Sequence, residues 1–272
     1  MTMMHSVVDV AGLNRISREI YTNAAAAIAA MVQAPRPESD DLPVIAASMF
    51  GNTTACIDQA KDQLSRSGYE VLVFHATGSG GKTMQRLAAE GHLAGLLDLT
   101  TTELADEVCG GVFSAGRERV EMGAKSAIPI VLAPGCVDMC NFGPRESVPQ
   151  KYASRLLYEW NENVTLMRTN VEENREIGRL IAETANRCSG PAAILFPKKG
   201  VSMLGSPTGP FWDEAADRAC LDGIRSNLRA EVPVVEMDCN INDAPFASRA
   251  VETLLELSGN ASERRAAQKT VS

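Results

Sequence analysis

Histidine is scarce in this chain, which has only His5, His75 and His92. A structural zinc site would need ligands beyond the C-x-x-x-C of Cys136 and Cys140, so none is expected. Basic charge is in deficit: 26 Lys and Arg stand against 34 Asp and Glu, for a net charge of −8. That balance argues against nucleic acid or an anionic membrane as a non-specific partner. No run reaches the roughly 18 apolar residues that a membrane-spanning helix needs. The first residues, "MTMMHSVVDVAG", show neither a basic n-region nor an apolar h-region, so no secretory signal is expected. The seven cysteines form an odd set, which fits reduced thiols in the cytoplasm better than a disulfide framework.

What the chain does have is apolar material in short, regular doses. It is 45% hydrophobic over 272 residues, enough for a sizeable core. "LNRISREIYTNAAAAIAAMV", Leu13 to Val32, carries apolar residues at helical spacing and predicts a helix. The acidic, proline-bearing "QAPRPESDDLP" that follows reads as a linker. Seven apolar runs then alternate with mostly helical stretches: "PVIAASMF", "YEVLVFHA", "LAGLLDL", "IPIVLAPG", "NVTLMRT", "AAILFP" and "VPVVEMD". Such alternation predicts an α/β fold, doubly wound and Rossmann-like, with a mainly parallel sheet of six or seven strands. The expected organisation is a helix and linker over 1–40, an α/β domain over 41–258 and a flexible polar tail over 259–272.

Small polar residues collect where those strands end. In an open parallel sheet all such ends share one edge, and ligands bind in the crevice there. Gly51, Asn52 and Thr53 follow the first run, Thr101 and Thr102 the third, Asn141 and Gly143 the fourth, Arg168 the fifth and Lys199 the sixth. The second run leads into "HATGSGGKT", which nearly spells the nucleotide loop G-x-x-x-x-G-K-[ST]. Ala76 replaces the first glycine, and the dinucleotide fingerprint also fails because Thr83 stands where its last glycine belongs. Asp98, closing "LAGLLD", would then be a Walker B analogue able to help hold Mg²⁺. A simpler expectation is an anion nest. Thr77, Gly78, Ser79, Gly80 and Gly81 would bring backbone N–H groups to a charged ligand, with Lys82 nearby.

Three residues are candidates for proton transfer. His75 borders the glycine turn, where an imidazole could serve as an acid or base. Glu103 follows "DLTTT", and Asp138 lies in "DMCNFGPR". Each has a purely structural alternative. His75 can bond a strand-end carbonyl, Glu103 can cap a helix beside its dipole, and Asp138 can shape a tight loop. Arg168 and Lys199 can converge on a phosphate or carboxylate, or make surface ion pairs.

Several strings taken together carry a resemblance: "ASMFGNTT", "GYEVLVFHATGSGGKTM", "GLLDLTTTELADEVCGGVFSAG", "GCVDMCNFGP", "TLMRTNVEEN", "KKGVSML" and "FWDEAAD". They resemble the bacterial and fungal relatives of the plant tomato mosaic virus resistance protein, from about Ser6 to about Glu256. The resemblance implies an ATP-binding domain, hence ATP or AMP as ligand; Mg²⁺ is the companion that the Walker B reading of Asp98 would supply. It also implies two α/β subdomains, of which this chain is similar to the second. The expected partner is then a separate chain carrying the other subdomain, or a second copy in a homo-oligomer. Two other functions remain open: an enzyme acting on a small anionic phosphorylated or keto-acid metabolite, and a non-catalytic interaction subunit.

Overall fold

The computed structural model describes residues 2–7, 12–35 and 42–270, with side chains through residue 259. Most of the expected linker, residues 36–41, lies outside the described residues. The chain divides into two units, Met1–Asp41 and Leu42–Ser272.

In the first unit α1 spans Arg15–Gln33. Its start is a capping box: Asn14 Oδ1 accepts from the amides of Ile16 and Ser17, and Ser17 Oγ accepts from the Asn14 amide. Those contacts satisfy amides that a helix start leaves without partners. Within this unit Met4, Ile20, Tyr21, Ala24, Ile28 and Met31 line a groove.

The second unit holds β1 (Val44–Met49), α2 (Thr54–Arg66), β2 (Glu70–His75), α3 (Ser79–Ala89), β3 (Gly95–Thr100), α4 (Thr102–Cys109), β4 (Ile130–Gly135), β5 (Met139–Phe142), β6 (Leu157–Asn161), β7 (Val164–Arg168), α5 (Val171–Arg187), β8 (Ala192–Pro197), α6 (Glu214–Asn227), β9 (Val234–Met237) and α7 (Ala244–Thr270). Six strands form a parallel sheet in the order β2-β1-β3-β4-β8-β9. The fold is therefore α/β, as the alternating pattern predicts.

Alternate residues of the central strands feed two cores. Leu96, Ile130, Leu132, Ile194 and Phe196 pack with Met84, Leu104, Ile177, Ile181 and Ile224 of α3 to α6. Leu97, Leu99, Val131 and Leu195 pack on the other face with Ile57 and Leu64 of α2 and Phe246 and Leu254 of α7. Every residue of β3 and β4 is buried, while β2 and β9 at the edges are half-buried or exposed. Burial on both faces is why the central strands read as unbroken apolar runs.

One expected strand lies elsewhere. "NVTLMRT" becomes β7, the middle of a separate antiparallel sheet ordered β5-β7-β6. Its partners were the unread elements. "MCNF" pairs on one side, and the two-residue turn Glu162-Asn163 folds "LYEWN" back on the other. Four of the five β6 residues are exposed, so that strand has no apolar run to betray it. At the other end, the α7 backbone stays helical to Thr270, through most of the segment read as a flexible tail.

Candidate functional site

The chain runs from β1 outward to β2 and then returns to place β3 on the other side of β1. Strand order reverses there, so the crevice outside the carboxyl ends of β1 and β3 is the expected ligand position. A cavity of about 200 Å³ opens beside these ends, lined by Phe50, Gly51, Asn52, His75, Phe113, Trp160, Asn161, Val164 and Leu166. Its walls are aromatic. Phe50 and Phe113 meet edge to face with centroids 6.0 Å apart, and a β-carbon at Gly51 would sit 3.9 Å from the Trp160 ring. The small sheet supplies Trp160, Asn161, Val164 and Leu166, so its displacement from the main sheet builds one wall of the slot.

Asn52 is 2% exposed. Its Nδ2 reaches only the Met139 sulfur, at 3.6 Å, and its Oδ1 has no hydrogen-bond partner among the described residues. A buried amide oxygen without a donor costs about 1–3 kcal/mol, an expense a bound donor would remove. The Asn52 backbone is held by contrast: its carbonyl accepts from the Met203 amide and from Asn242 Nδ2. His75 is exposed at the mouth of the slot.

The glycine turn is an anion nest, and its anion is internal. Gly78, with φ of +84°, precedes the first residue of α3. Glu103 Oε1 accepts from the Gly78 amide at 2.7 Å and from the Gly81 amide at 3.1 Å. A β-carbon at Gly81 would fall 2.2 Å from Glu103 Oε2, and one at Gly80 would fall 1.8 Å from the His75 carbonyl. Glycine is required here by close approach, to a carboxylate in one case and to backbone in the other. Thr77 turns its amide to the His75 carbonyl, and the Ser79 carbonyl accepts from Thr83 Oγ1.

Glu103 is fully buried and holds Arg119 Nε at 2.7 Å through its other oxygen. Arg119 binds Asp98 with both terminal nitrogens, at 2.8 and 2.6 Å, and Ser48 Oγ donates to Asp98 at 2.8 Å. Burial opposes the Arg119 charge, but Asp98 and Glu103 outweigh it and hold the guanidinium above its usual range. The residue read as a proton carrier is thus the anchor of a buried ion network, and the residue read as a Mg²⁺ ligand is the other arm. Arg119 lies in "GRERVEMG" and went unread, since nothing in that charged stretch separates a buried arginine from surface ones.

Most of the remaining expected residues are also turned inward, the two lysines excepted. Thr53 Oγ1 lies 2.8 Å from Thr100 Oγ1, Thr101 Oγ1 donates to the Ala133 carbonyl, and Thr102 Oγ1 accepts from Asn141 Nδ2. Asn141 Nδ2 and its amide also donate to Asp106, and the Gly143 carbonyl accepts from the Thr165 amide. Asp138 is fully buried. Ser202 Oγ donates to its Oδ2 at 2.6 Å, and its Oδ1 has no partner among the described residues. Burial raises its carboxyl above the ordinary range against the pull of Arg168 and Ser202. Arg168 does not face a ligand: its donors go to the carbonyls of Phe211, Thr169 and Asp213, to Thr169 Oγ1 and to Asp217. Lys199 is exposed and pairs with Asp238 at 3.0 Å. Lys82 is exposed and lines a different cavity, with Arg86 and Lys125. Of the expected site residues, Gly51, Asn52 and His75 meet in the slot.

Cys136 has a φ of +59°, a left-handed conformation that costs a non-glycine residue energy. Burial, followed by the nearby Asp138, pushes its thiol well above the usual range, so it is held as a neutral group and not as a thiolate nucleophile.

The comparisons with known proteins bear on this whole arrangement. Residues 42–258, which carry both sheets, match the C-terminal domain of "Uncharacterised protein family (UPF0261)". The chain belongs to the UPF0261 family. Residues 1–37 match that family's N-terminal domain. A UPF0261 protein of Clostridium tetani is 45% identical over 258 residues, covering 94% of this chain and 64% of that protein. The ToMV resistance protein Tm-1(GCR237) of Solanum lycopersicum is 40% identical over 269 residues, covering 95% of this chain and 35% of that protein. The UPF0261 chain described here therefore spans less than two thirds of the length of these relatives. Among solved structures, a thioesterase domain from the curacin biosynthetic pathway aligns over 80% of this chain and 92% of its own, with 11% identity and a TM-score of 0.37. Among the described residues no helix is long and apolar enough to cross a membrane.

Proposed function

We propose that this UPF0261 chain binds a small ring-bearing ligand, a nucleotide such as AMP or ATP, in the aromatic slot at the rim of β1. The observation that carries this reading is the unpartnered Asn52 Oδ1 in a slot walled by Phe50, Phe113 and Trp160. A flat heterocycle gains stacking on aromatic faces, and an exocyclic amino group supplies the donor that Asn52 lacks. The ATP-binding domain that the sequence resemblance implies points the same way. The glycine turn is not the phosphate holder in this reading, because Glu103 already occupies the Gly78 and Gly81 amides. Mg²⁺ enters only as the companion of a polyphosphate.

The test is an AMP titration, followed by ATP with and without Mg²⁺, read by the emission of Trp160. Saturable quenching that is lost in Trp160→Phe and weakened at least tenfold in Asn52→Ala is the expected result. Ligand at 100 times its Kd should also add about 2.7 kcal/mol of stability. No quenching and no thermal shift with either nucleotide would overturn the assignment.

A second reading rests on His75, whose imidazole stands exposed at the slot. There it can pass a proton to or from a small phosphorylated or keto-acid substrate. Turnover lost in His75→Ala with binding retained would favour an enzyme over a binding protein. A third concerns partners. The N-terminal family match stops at residue 37, and Ile16, Ile28, Met31 and Val32 of α1 are exposed apolar side chains. That face suits a separate chain carrying the rest of the N-terminal domain, or a second copy. Light scattering of the chain alone and mixed with that domain separates the two.

A further inference from the structure

Lys82 closes the "GSGGK" string, yet it faces away from the amides of that turn. Gly81, Met84 and Ala88 form the buried face of α3. Lys82, Arg86 and Ala89, three and four residues apart along the same helix, form a different stripe. That stripe lines a cavity of about 260 Å³ closed on its far side by Glu121, Gly123, Lys125 and Ser126. Two anchors set the cavity's shape. Gln85 Nε2 donates to the Glu118 carbonyl at 3.1 Å, tying α3 to the segment ahead of β4. Gly123, at φ +77°, makes the turn that presents Lys125 and Ser126; a β-carbon there would strike Ile130 Cδ1 at 2.1 Å.

The charges of this cavity run against those of the chain. The chain carries a net −8, while three cations converge here and one carboxylate opposes them. That carboxylate, Glu121, is already engaged by Arg187 at 3.7 Å. Arg86 has one ion pair among the described residues, with Glu90 at 3.8 Å. Lys82 and Lys125 have no ion-pair partner among the described residues. A second and independent feature points to a ligand. Ser126 is 8% exposed, and its hydroxyl has no hydrogen-bond partner among the described residues. Uncompensated buried hydroxyls are uncommon in folded proteins.

We propose that the cavity between α3 and residues 121–126 is a binding site for a small phosphate-bearing metabolite. Lys82, Arg86 and Lys125 would neutralise the dianion, and the Ser126 hydroxyl would donate to one of its oxygens. Two lysines and an arginine around one cavity match a doubly charged oxyanion better than a single carboxylate. The site does not depend on the aromatic slot, with which it shares no lining residue. It makes the lysine of the glycine string an anion ligand, on the flank of α3 and not at the strand ends.

The test uses inorganic phosphate as the probe, with ³¹P line broadening and the melting temperature of the whole chain as readouts. Saturable broadening is expected, with sulfate displacing phosphate and acetate needing at least tenfold more at matched ionic strength. Lys82→Gln and Lys125→Gln exchange exposed side chains, and each should weaken phosphate at least threefold while leaving the melting temperature without ligand unchanged. The double variant should weaken it at least tenfold, and Ser126→Ala a few-fold. Three results would each overturn the proposal: no saturable broadening, equal displacement by acetate, or full phosphate binding in the double lysine variant. Nucleotide titration of the slot through Trp160 should be unaffected in these variants, so failure of one site is read separately from failure of the other.

Discussion

Glu103 and Asn52 are both buried polar side chains at the carboxyl ends of strands, and they differ in how fully they are answered. Glu103 has two glycine amides on one oxygen and Arg119 on the other. Asn52 has a thioether on its nitrogen and nothing on its oxygen among the described residues. The first is a finished electrostatic structure that holds the glycine turn shut. The second is an unfinished one beside an aromatic slot. A nest of amides shows that an anion belongs there, but not whether the anion comes from solvent or from the chain; only the accounting of partners decides.

The comparison breaks most visibly at Arg119. Arg119→Leu leaves Asp98 and Glu103 buried without their cation, and removing one partner of a buried ion network costs about 3–5 kcal/mol. Urea denaturation should show a loss of that size, with the transition still cooperative. A loss below about 1 kcal/mol would mean the network is not closed as described. Gly81→Ala should cost less, about 1–3 kcal/mol, because its new methyl group meets the Glu103 carboxylate at van der Waals overlap. Gly91→Ala, at φ +80° with nothing within 4 Å of a β-carbon, should instead show the backbone cost alone, a cost that Gly81 does not carry.

A pH experiment sharpens the contrast from another buried carboxylate. Burial, resisted by Arg168, raises the Asp217 carboxyl from 3.8 to about 7. The folded state then holds a proton that the unfolded state gives up near pH 4. Between about pH 4 and 7 the native state binds more protons, so this group's contribution to stability falls as pH rises. Asp106, raised by burial to about 6, acts in the same direction, and the lowered Glu173 acts in the opposite one. The difference between wild type and Asp217→Asn isolates the one group. Wild-type stability should fall relative to the variant across that window, and an unchanged difference would contradict the shift.

The smallest expected effect on stability is at the slot itself. Trp160→Ala removes a side chain that is 41% exposed, so stability should stay within about 0.5 kcal/mol, while AMP binding should drop at least tenfold. If stability fell with binding, Trp160 would be part of the core instead of a wall for a guest.

Burial pattern decides what could be read from residues alone. β3 and β4 were legible because sandwiching between helices demands apolar side chains on both faces, and "GLLDLT" and "IVLAPG" supply them. β6 was not, because "LYEWN" lies exposed on its small sheet. β7 was legible as a strand but not as to its sheet, since "VTLM" is equally apolar under either neighbour. At the candidate slot, Gly51, His75 and Asn52 were named through the rule that polar loops follow parallel strands. Phe50, Phe113 and Trp160 were not, because they come from three separate loops and strands that only the fold brings together. Glu103 was found for its position and misjudged in role, since its partner Arg119 lies 16 residues away in a stretch with no periodic signal.

The central claim is that ligand enters the aromatic slot and leaves the glycine turn untouched. Backbone and indole N–H shifts in ¹⁵N-labelled protein, followed through an AMP titration, test it directly. The largest shifts should fall on Gly51, Asn52 and the Trp160 indole, with Gly78 and Gly81 nearly still. Dominant shifts at Gly78 and Gly81, with a silent Trp160, would contradict the account and return the turn to its reading as a phosphate holder.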